Sequence, residues 1–337
     1  MNYPKFITKN STIGVPNPTS EKIDEKRKNK YKNAKKNLTN YGFNLNISKN
    51  IFISNKGRSA SKEDRAKELM KMIKDKENDI ILFASGGDFF IEILPYLDFE
   101  EIKKYKKWFI GFSDPSSFLY ILTSKYDLAT IYGSNYSSFG AYKFYENHND
   151  LLEIIQGEKN VITSYDKYEE TYQESVTGLE GYNLDTKVVW KTLDKKDITV
   201  EGRLLGGCFD CIADIAGTKY DGITSFNEKY KEDGIIWFFD NCEKSMEEVI
   251  RILWRFNCLG YFDYTKAVIF GRFGYPHSYY DYTIEECFND SVLKEKNIPI
   301  LYDADISHKA LSMPIINGAY AKVECINNKG KIEYKLV

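Results

Sequence analysis

Trp108-Phe109-Ile110-Gly111-Phe112-Ser113-Asp114-Pro115 is the stretch that decides the fold. Three large apolar residues run into a Gly-x-Ser corner. A helical pattern follows at once, from about Ser116 to Tyr126. The reading is a buried strand that turns tightly into a helix. The same grammar appears one unit earlier, where the strand Ile80 to Ala84 ends in Ser85-Gly86-Gly87-Asp88 and enters a second helix, Phe89 to Leu97. Before that, Ser61-x-x-Asp64 has the form of a capping box. Behind it Ala66, Leu69, Met70 and Ile73 mark one face of an amphipathic helix. The chain opens with a short strand, Thr12 to Val15, the turn-rich Pro16-Asn17-Pro18-Thr19-Ser20, and a charged helix to about Asn40, with Gly42 placed as its C-cap. Repeated β-loop-α units predict a parallel sheet with right-handed crossovers. Functional loops on such a sheet lie beyond the C-terminal strand ends.

From about Phe144 to Thr199 the pattern weakens into charged, Tyr-rich sequence, read as a connection plus an irregular lid. The βα signals then resume. Val200 to Leu205, Ile235 to Phe239, Ala267 to Phe270 and Ile298 to Tyr302 read as strands, and Phe209 to Ala216 as a helix. Ser245-x-x-Glu248 caps another helix, with Val249, Ile250, Leu253 and Phe256 turned inward. The tail reads as a hairpin, Ala321 to Ile326 and Lys331 to Leu336. The organisation expected is an α/β domain over residues 1–150, a connection and lid over 151–200, and a second α/β domain over 201–337.

Composition excludes several classes. The 337 residues are 42% hydrophobic and 15% aromatic, with 47 Lys+Arg against 49 Asp+Glu for a net charge of -2. That is too apolar and too balanced for a disordered chain. It also lacks the positive field of a general nucleic-acid binder. Eight Lys/Arg between Lys22 and Lys36 are diluted by Glu21, Asp24 and Glu25 and read as a solvated helix face. The longest apolar runs, such as Ile235-Ile236-Trp237-Phe238-Phe239, fall far short of the ~20 residues that span a bilayer. No apolar secretory segment opens the chain. Six sparse, irregularly spaced cysteines suit a reducing compartment, so a cytoplasmic protein is expected. Cys208-x-x-Cys211 is a lone CxxC with no second pair, and it reads as small apolar residues rather than a metal or redox site. No cofactor and no metal are called for.

Ser113 at a strand-to-helix corner has the placement of a nucleophile elbow, although the second glycine of Gly-x-Ser-x-Gly is missing. Backbone N–H groups at the start of the next helix are unpaired donors at a positive dipole end, suited to an oxyanion. A Ser or Asp before a helix also serves simply as an N-cap. The adjacent glycines Gly86 and Gly87 let backbone approach a ligand, or merely make a tight turn. A serine nucleophile needs an oriented base. Only three histidines exist. His148 lies in a polar stretch and reads as a surface residue. His277 follows a strand and is possible. His308 follows the strand Ile298 to Tyr302, again at the functional edge. Asp240, Glu243, Asp303 and Asp305 all follow strands, so the residues alone allow several triads.

In this order and spacing the motifs resemble a known family. They are Ile13-Gly14-Val15, Gly86-Gly87, Leu94-Pro95-Tyr96-Leu97-Asp98, Ile110-Gly111-Phe112-Ser113-Asp114, Tyr132-Gly133, Ser138-Phe139-Gly140, Glu201-Gly202-Arg203-Leu204-Leu205-Gly206-Gly207, Gly271-Arg272-Phe273, and His308 before Met313-Pro314-Ile315. The chain looks like the serine peptidases comprising LD-carboxypeptidases and the microcin C immunity proteins. Its length and the region ending in Val188-Val189-Trp190 resemble the microcin-immunity branch more. The resemblance implies an N-terminal Rossmann-like, class I amidotransferase-like domain, a C-terminal α/β domain, and an active site between them. It implies Ser113 as nucleophile, His308 as general base, and the N–H groups of Gly87 and Asp114 as oxyanion donors. Gly86, Asp88 and Trp190 are expected at the substrate, Trp190 by stacking on a nucleobase. The family acid is a glutamate, and Asp240 stands at its position. One methylene shorter, it is expected to stretch the acid–imidazole contact, with Glu243 as fallback. Ser307, where a glycine usually stands, is expected to crowd the His308 turn. Cys208 stands where asparagine is common. The implied reaction cleaves an amide in an LD-muropeptide or a peptidyl or aminoacyl nucleotide through an acyl-enzyme. The implied partners are that small substrate and a second copy of the chain in a homodimer, with neither nucleic acid nor membrane. The alternative is an impaired relative that only binds ligand. A cysteine hydrolase is disfavoured, because no cysteine sits on a strand-to-helix elbow.

Overall fold

The computed structural model describes residues 1–336. Five parallel strands build the first sheet: β1 (Thr12–Val15), β2 (Asn44–Ile47), β3 (Ile80–Leu82), β4 (Trp108–Gly111) and β5 (Thr130–Tyr132). Between them run α1 (Glu25–Tyr41), α2 (Lys62–Lys74), the short α3 (Phe99–Ile102) and α4 (Ser116–Tyr126), and α5 (Glu146–Ile155) follows β5. Local chemistry sets the ends. The Asp24 side chain accepts from Arg27 N–H, and the Gly42 N–H closes α1 onto the Leu38 and Thr39 carbonyls. Ser61 caps α2 in the same way through Asp64 N–H. The helix expected over Phe89 to Leu97 is a 3-10 segment, Phe90–Tyr96, because Pro95 lies inside it and cannot donate to an α-helical ladder.

The expected lid is partly sheet. β6 (Val161–Thr163), a two-stranded pair of β7 (Lys167–Tyr168) and β8 (Thr186–Lys187), and β9 (Lys191–Thr192) lie in it. The rest of the chain supplies β10 (Ile198–Cys208), α6 (Phe209–Ile215), α7 (Ile223–Tyr230), β11 (Ile235–Asp240), α8 (Met246–Cys258), β12 (Thr265–Gly271), α9 (Ile284–Asn289), α10 (Val292–Glu295) and β13 (Ile300–Ala304). It closes with β14 (Ile315–Asn317), β15 (Tyr320–Ile326) and β16 (Lys329–Lys335). The second sheet runs β6-β16-β15-β10-β11-β12-β13-β9. Its centre, β10 to β13, is parallel, and the hairpin β15–β16 flanks it antiparallel.

The halves are interleaved. β14 comes late in the chain yet pairs antiparallel with β5 in the first sheet. β6 and β9, from the connection, sit at the two edges of the second sheet. α4 follows the Gly-x-Ser corner and is buried along Ser116 to Ser124, packed against β10, α6 and α7. Both parallel sheets therefore aim their C-terminal edges at the region where α4 begins.

Candidate active site

Ser113 lies just past the end of β4 with φ +67°, in the left-handed region. For a residue with a Cβ this costs on the order of 1–2 kcal/mol, so its surroundings must hold it there. The Ser113 carbonyl accepts from the Ser116 N–H at 2.8 Å and from the Ser116 hydroxyl. Two glycines make the corner possible. A Cβ on Gly111 would lie 2.7 Å from Pro115 Cβ, and one on Gly86 would lie 3.2 Å from Ser113 Oγ. The Gly86 loop is thus pressed against the nucleophile candidate.

Asp114 locks the loops together. Its buried carboxylate accepts from the Thr19 hydroxyl at 2.6 Å and from Phe90 N–H at 2.9 Å. One side chain therefore joins the β1–α1 loop, the Gly86-Gly87 loop and the Ser113 corner. Burial pushes its pKa up to about 6, against the partial relief of those two donors. A Cβ on Gly87 would collide with Thr19 Oγ1, so that loop needs glycine. Asp88 is exposed at the rim.

Asp240 is the last residue of β11 and is fully buried. Its Oδ2 accepts from the Tyr132 hydroxyl at 2.7 Å and lies 2.9 Å from His308 Nδ1. Its Oδ1 accepts from the His308 backbone N–H at 3.2 Å. The imidazole contact is an ion pair without an aligned hydrogen bond, and the Cys242 thiol also faces the ring. Phe112, directly before Ser113, puts its ring 4.7 Å from the imidazole and 4.8 Å from the Tyr132 ring. The Ser113 corner and the His308–Asp240 pair thus share a wall. Burial alone would lower the His308 pKa. Burial is the largest single influence, but the Asp240 charge and contact, together with Cys242, outweigh it and raise the pKa well above the ordinary imidazole value. The shorter acid does not stretch the contact: the His308 turn is drawn onto it through its own backbone N–H.

That turn is braced rather than crowded. The Ser307 hydroxyl donates to the Arg272 carbonyl at 2.6 Å and accepts from Lys309 N–H at 2.9 Å. Asp305, two residues upstream, is buried between Arg272 Nη1 at 2.6 Å and the Trp190 indole N–H at 2.9 Å.

Comparison with known proteins follows the same division. Residues 13–133 match the LD-carboxypeptidase N-terminal domain and residues 201–323 the LD-carboxypeptidase C-terminal domain. The chain belongs to the LD-carboxypeptidase family. A Vibrio cholerae protein named as a carboxypeptidase is 27% identical over 100% of this chain and 99% of its own length. The microcin C7 self-immunity protein MccF of Escherichia coli is 26% identical over 86% of this chain and 84% of its own. The structure of MccF in complex with glutamyl sulfamoyl guanosine superposes with TM-score 0.80 at 22% identity, covering all of both chains. That of muramoyltetrapeptide carboxypeptidase from Oxalobacter formigenes gives 0.74 at 20% identity, covering 96% of this chain and 98% of its own. Family and relatives make the chain a serine-peptidase-type enzyme that performs peptidase-type hydrolysis.

Several expectations for this LD-carboxypeptidase family member need correction. Trp190 does not line a cleft: it is fully buried, with Gly330 against its ring face and its N–H committed to Asp305. His148 is a core residue. It is fully buried and its Nδ1 accepts from Tyr145 N–H at the start of α5, while desolvation, aided by Lys30, lowers its pKa to about 3. Glu243 is exposed and its backbone is held by Asp210, so it does not back up Asp240. Asp303 pairs with Lys191 at 2.9 Å, and His277 sits in an exposed loop. Of the candidate acids, only Asp240 meets His308. Cys211 Sγ lies 3.7 Å from the Ser113 carbonyl and Cys208 Sγ 3.7 Å from Asp210 Oδ2. No group of residues among those described could hold a metal. Sequence reading gave no role to Tyr132, quoted only within the Tyr132-Gly133 motif, nor to Thr19 or Asp210. Besides that motif, their signal was position: Tyr132 ends a strand, Thr19 lies in the loop after one, and Asp210 opens the helix after another. No helix is long and apolar enough to cross a membrane.

Proposed function

We propose that the chain is a serine hydrolase in which Ser113 attacks an amide carbonyl, His308 takes and returns the proton, and Asp240 orients the imidazole. The observation that supports this most is the His308–Asp240 pair set against Phe112, the neighbour of a left-handed Ser113. The backbone N–H groups of Gly87 and Asp114 are the oxyanion donors in this reading, since the Gly86-Gly87 loop abuts Ser113 and Asp114 pins it. An acyl-enzyme forms on Ser113 Oγ and water releases it, with His308 Nε2 as the atom that exchanges the proton with the reacting hydroxyl. The 2.9 Å separation of His308 Nδ1 from Asp240 Oδ2 supports the active reading over that of an impaired relative.

Two substrate classes fit. One is an LD-muropeptide amide, in line with the Oxalobacter relative's name as a muramoyltetrapeptide carboxypeptidase. The other is an aminoacyl or peptidyl nucleotide, the class that relatives of the MccF type bind. The fit across all of both chains with MccF supports the second more. The test is mass spectrometry of purified protein with muropeptide tetrapeptide, processed microcin C and aminoacyl sulfamoyl adenylates. Turnover of at least one is expected in wild type, and Ser113→Ala is expected to lose it by three orders of magnitude or more, as roughly found on removing a triad member. Undiminished turnover by Ser113→Ala would overturn the assignment.

A further inference from the structure

We infer that Tyr132 is a positioning residue for hydrolysis, a buried donor that sets how strongly Asp240 acts on His308. Tyr132 ends β5 in the first sheet, while Asp240 ends β11 in the second. Its hydroxyl reaches across to the same oxygen, Oδ2, that faces the imidazole. Both side chains are buried, and the Phe112 ring packs against both Tyr132 and His308. A carboxylate sealed from water needs donors for its lone pairs. Here three groups serve it: the Tyr132 hydroxyl, the His308 backbone N–H and the His308 ring. Tyr132 is the one member that neither moves with His308 nor exchanges a proton during turnover. Burial, then the neighbouring Asp240 charge, holds its phenol protonated far beyond neutral pH, so it donates throughout. It thereby fixes the carboxylate against rotation and draws off part of the charge on Oδ2. The other titratable groups facing this pair are Cys208 at the end of β10, Cys242 after β11 and Asp210 in α6.

The inference rests on the triad reading, but its test needs no substrate. The chain has only three histidines, so ring NMR signals can be followed singly with ring-labelled protein. In Tyr132→Phe the charge on Oδ2 is less neutralised and the imidazolium is favoured. His308 is expected to titrate about one unit higher than in wild type, the order of one hydrogen bond to a charged group. His148 and His277 are expected not to move, and a neutral His148 reports an intact fold. A 3-fluorotyrosine at position 132 alone is a stronger donor of nearly the same size, and it is expected to shift His308 downward. It also supplies the measurement if Tyr132→Phe does not fold. Opposite shifts are not produced by a merely structural role. An unchanged His308 titration in either folded variant would overturn the inference. Loss of turnover with Ser113 intact but His308 unshifted would count against Tyr132 while leaving the triad standing.

Discussion

Asp114 shows how much one side chain can be asked to do beside a reacting serine. Its carboxyl ties Thr19 and Phe90 to the corner, yet burial raises its pKa to about 6. In the unfolded chain it titrates near 3.9. Between those values the folded state keeps a proton that the unfolded state has released. Through this group, stability therefore falls as pH rises from about 4 to about 6 and is level above, by about 3 kcal/mol in all. Asp114→Asn cannot ionise and retains an acceptor oxygen. Its melting temperature relative to wild type is expected to improve from pH 4 to about pH 6 and to stay level above that. A difference that does not vary with pH would refute the account. Ser113 illustrates what was legible at this scale. A serine, a glycine two residues before it and an apolar strand are local features, so the corner could be read directly. Tyr132 could not be, because its role depends on a partner 108 residues away across two sheets. Trp190 misled for the opposite reason: a tryptophan before a strand gives no local sign of whether its ring faces solvent or Asp305.

Strands and helices with a clear period were readable to within about two residues, except that β10 runs three residues past the reading, to Cys208. α4 coincides with the reading, and β11 ends one residue beyond it, at Asp240. β14 was not readable. Ile315-Ile316-Asn317 is too short to show alternation, and its partner β5 lies almost two hundred residues earlier. The consequence of that pairing is carried by Asn317. From its place in the first sheet, its Oδ1 accepts the N–H of Gly206 in β10 at 2.9 Å. Gly206 itself has no room for a side chain, since a Cβ would strike the Phe238 carbonyl. Asn317→Ala leaves that buried N–H unpaired, at a cost of about 1–3 kcal/mol. Urea denaturation is expected to show a lower midpoint with an unchanged slope. A midpoint equal to that of wild type would mean that water or a backbone shift replaces the bond.

At the scale of the molecule, the sequence suggested two successive domains, and the fold interleaves them. Leu119 and Ile121 on α4 pack in one core with Leu205, Trp237 and Leu253 from the second half. A second core joins Ile110 and Ile131 to Leu204, Ile236 and Ile315. Fully burying each such side chain is worth roughly 1.5–3 kcal/mol. Together they outweigh any tendency of the halves to open independently. Heating is therefore expected to give one transition, with near- and far-ultraviolet circular dichroism curves that coincide. Separated transitions would contradict the shared cores. The brace behind the His308 turn has an optical side. Of the four tryptophans, Trp108 and Trp237 are sealed in apolar cores and Trp254 is exposed. Trp190 alone among the described residues gives its indole N–H to a carboxylate, and that carboxylate stands three positions before His308. The difference between the emission of wild type and that of Trp190→Phe therefore isolates this one indole and becomes a gauge of the field around Asp305. The brace that holds the His308 turn can then be watched through the protein's own light, with no label attached.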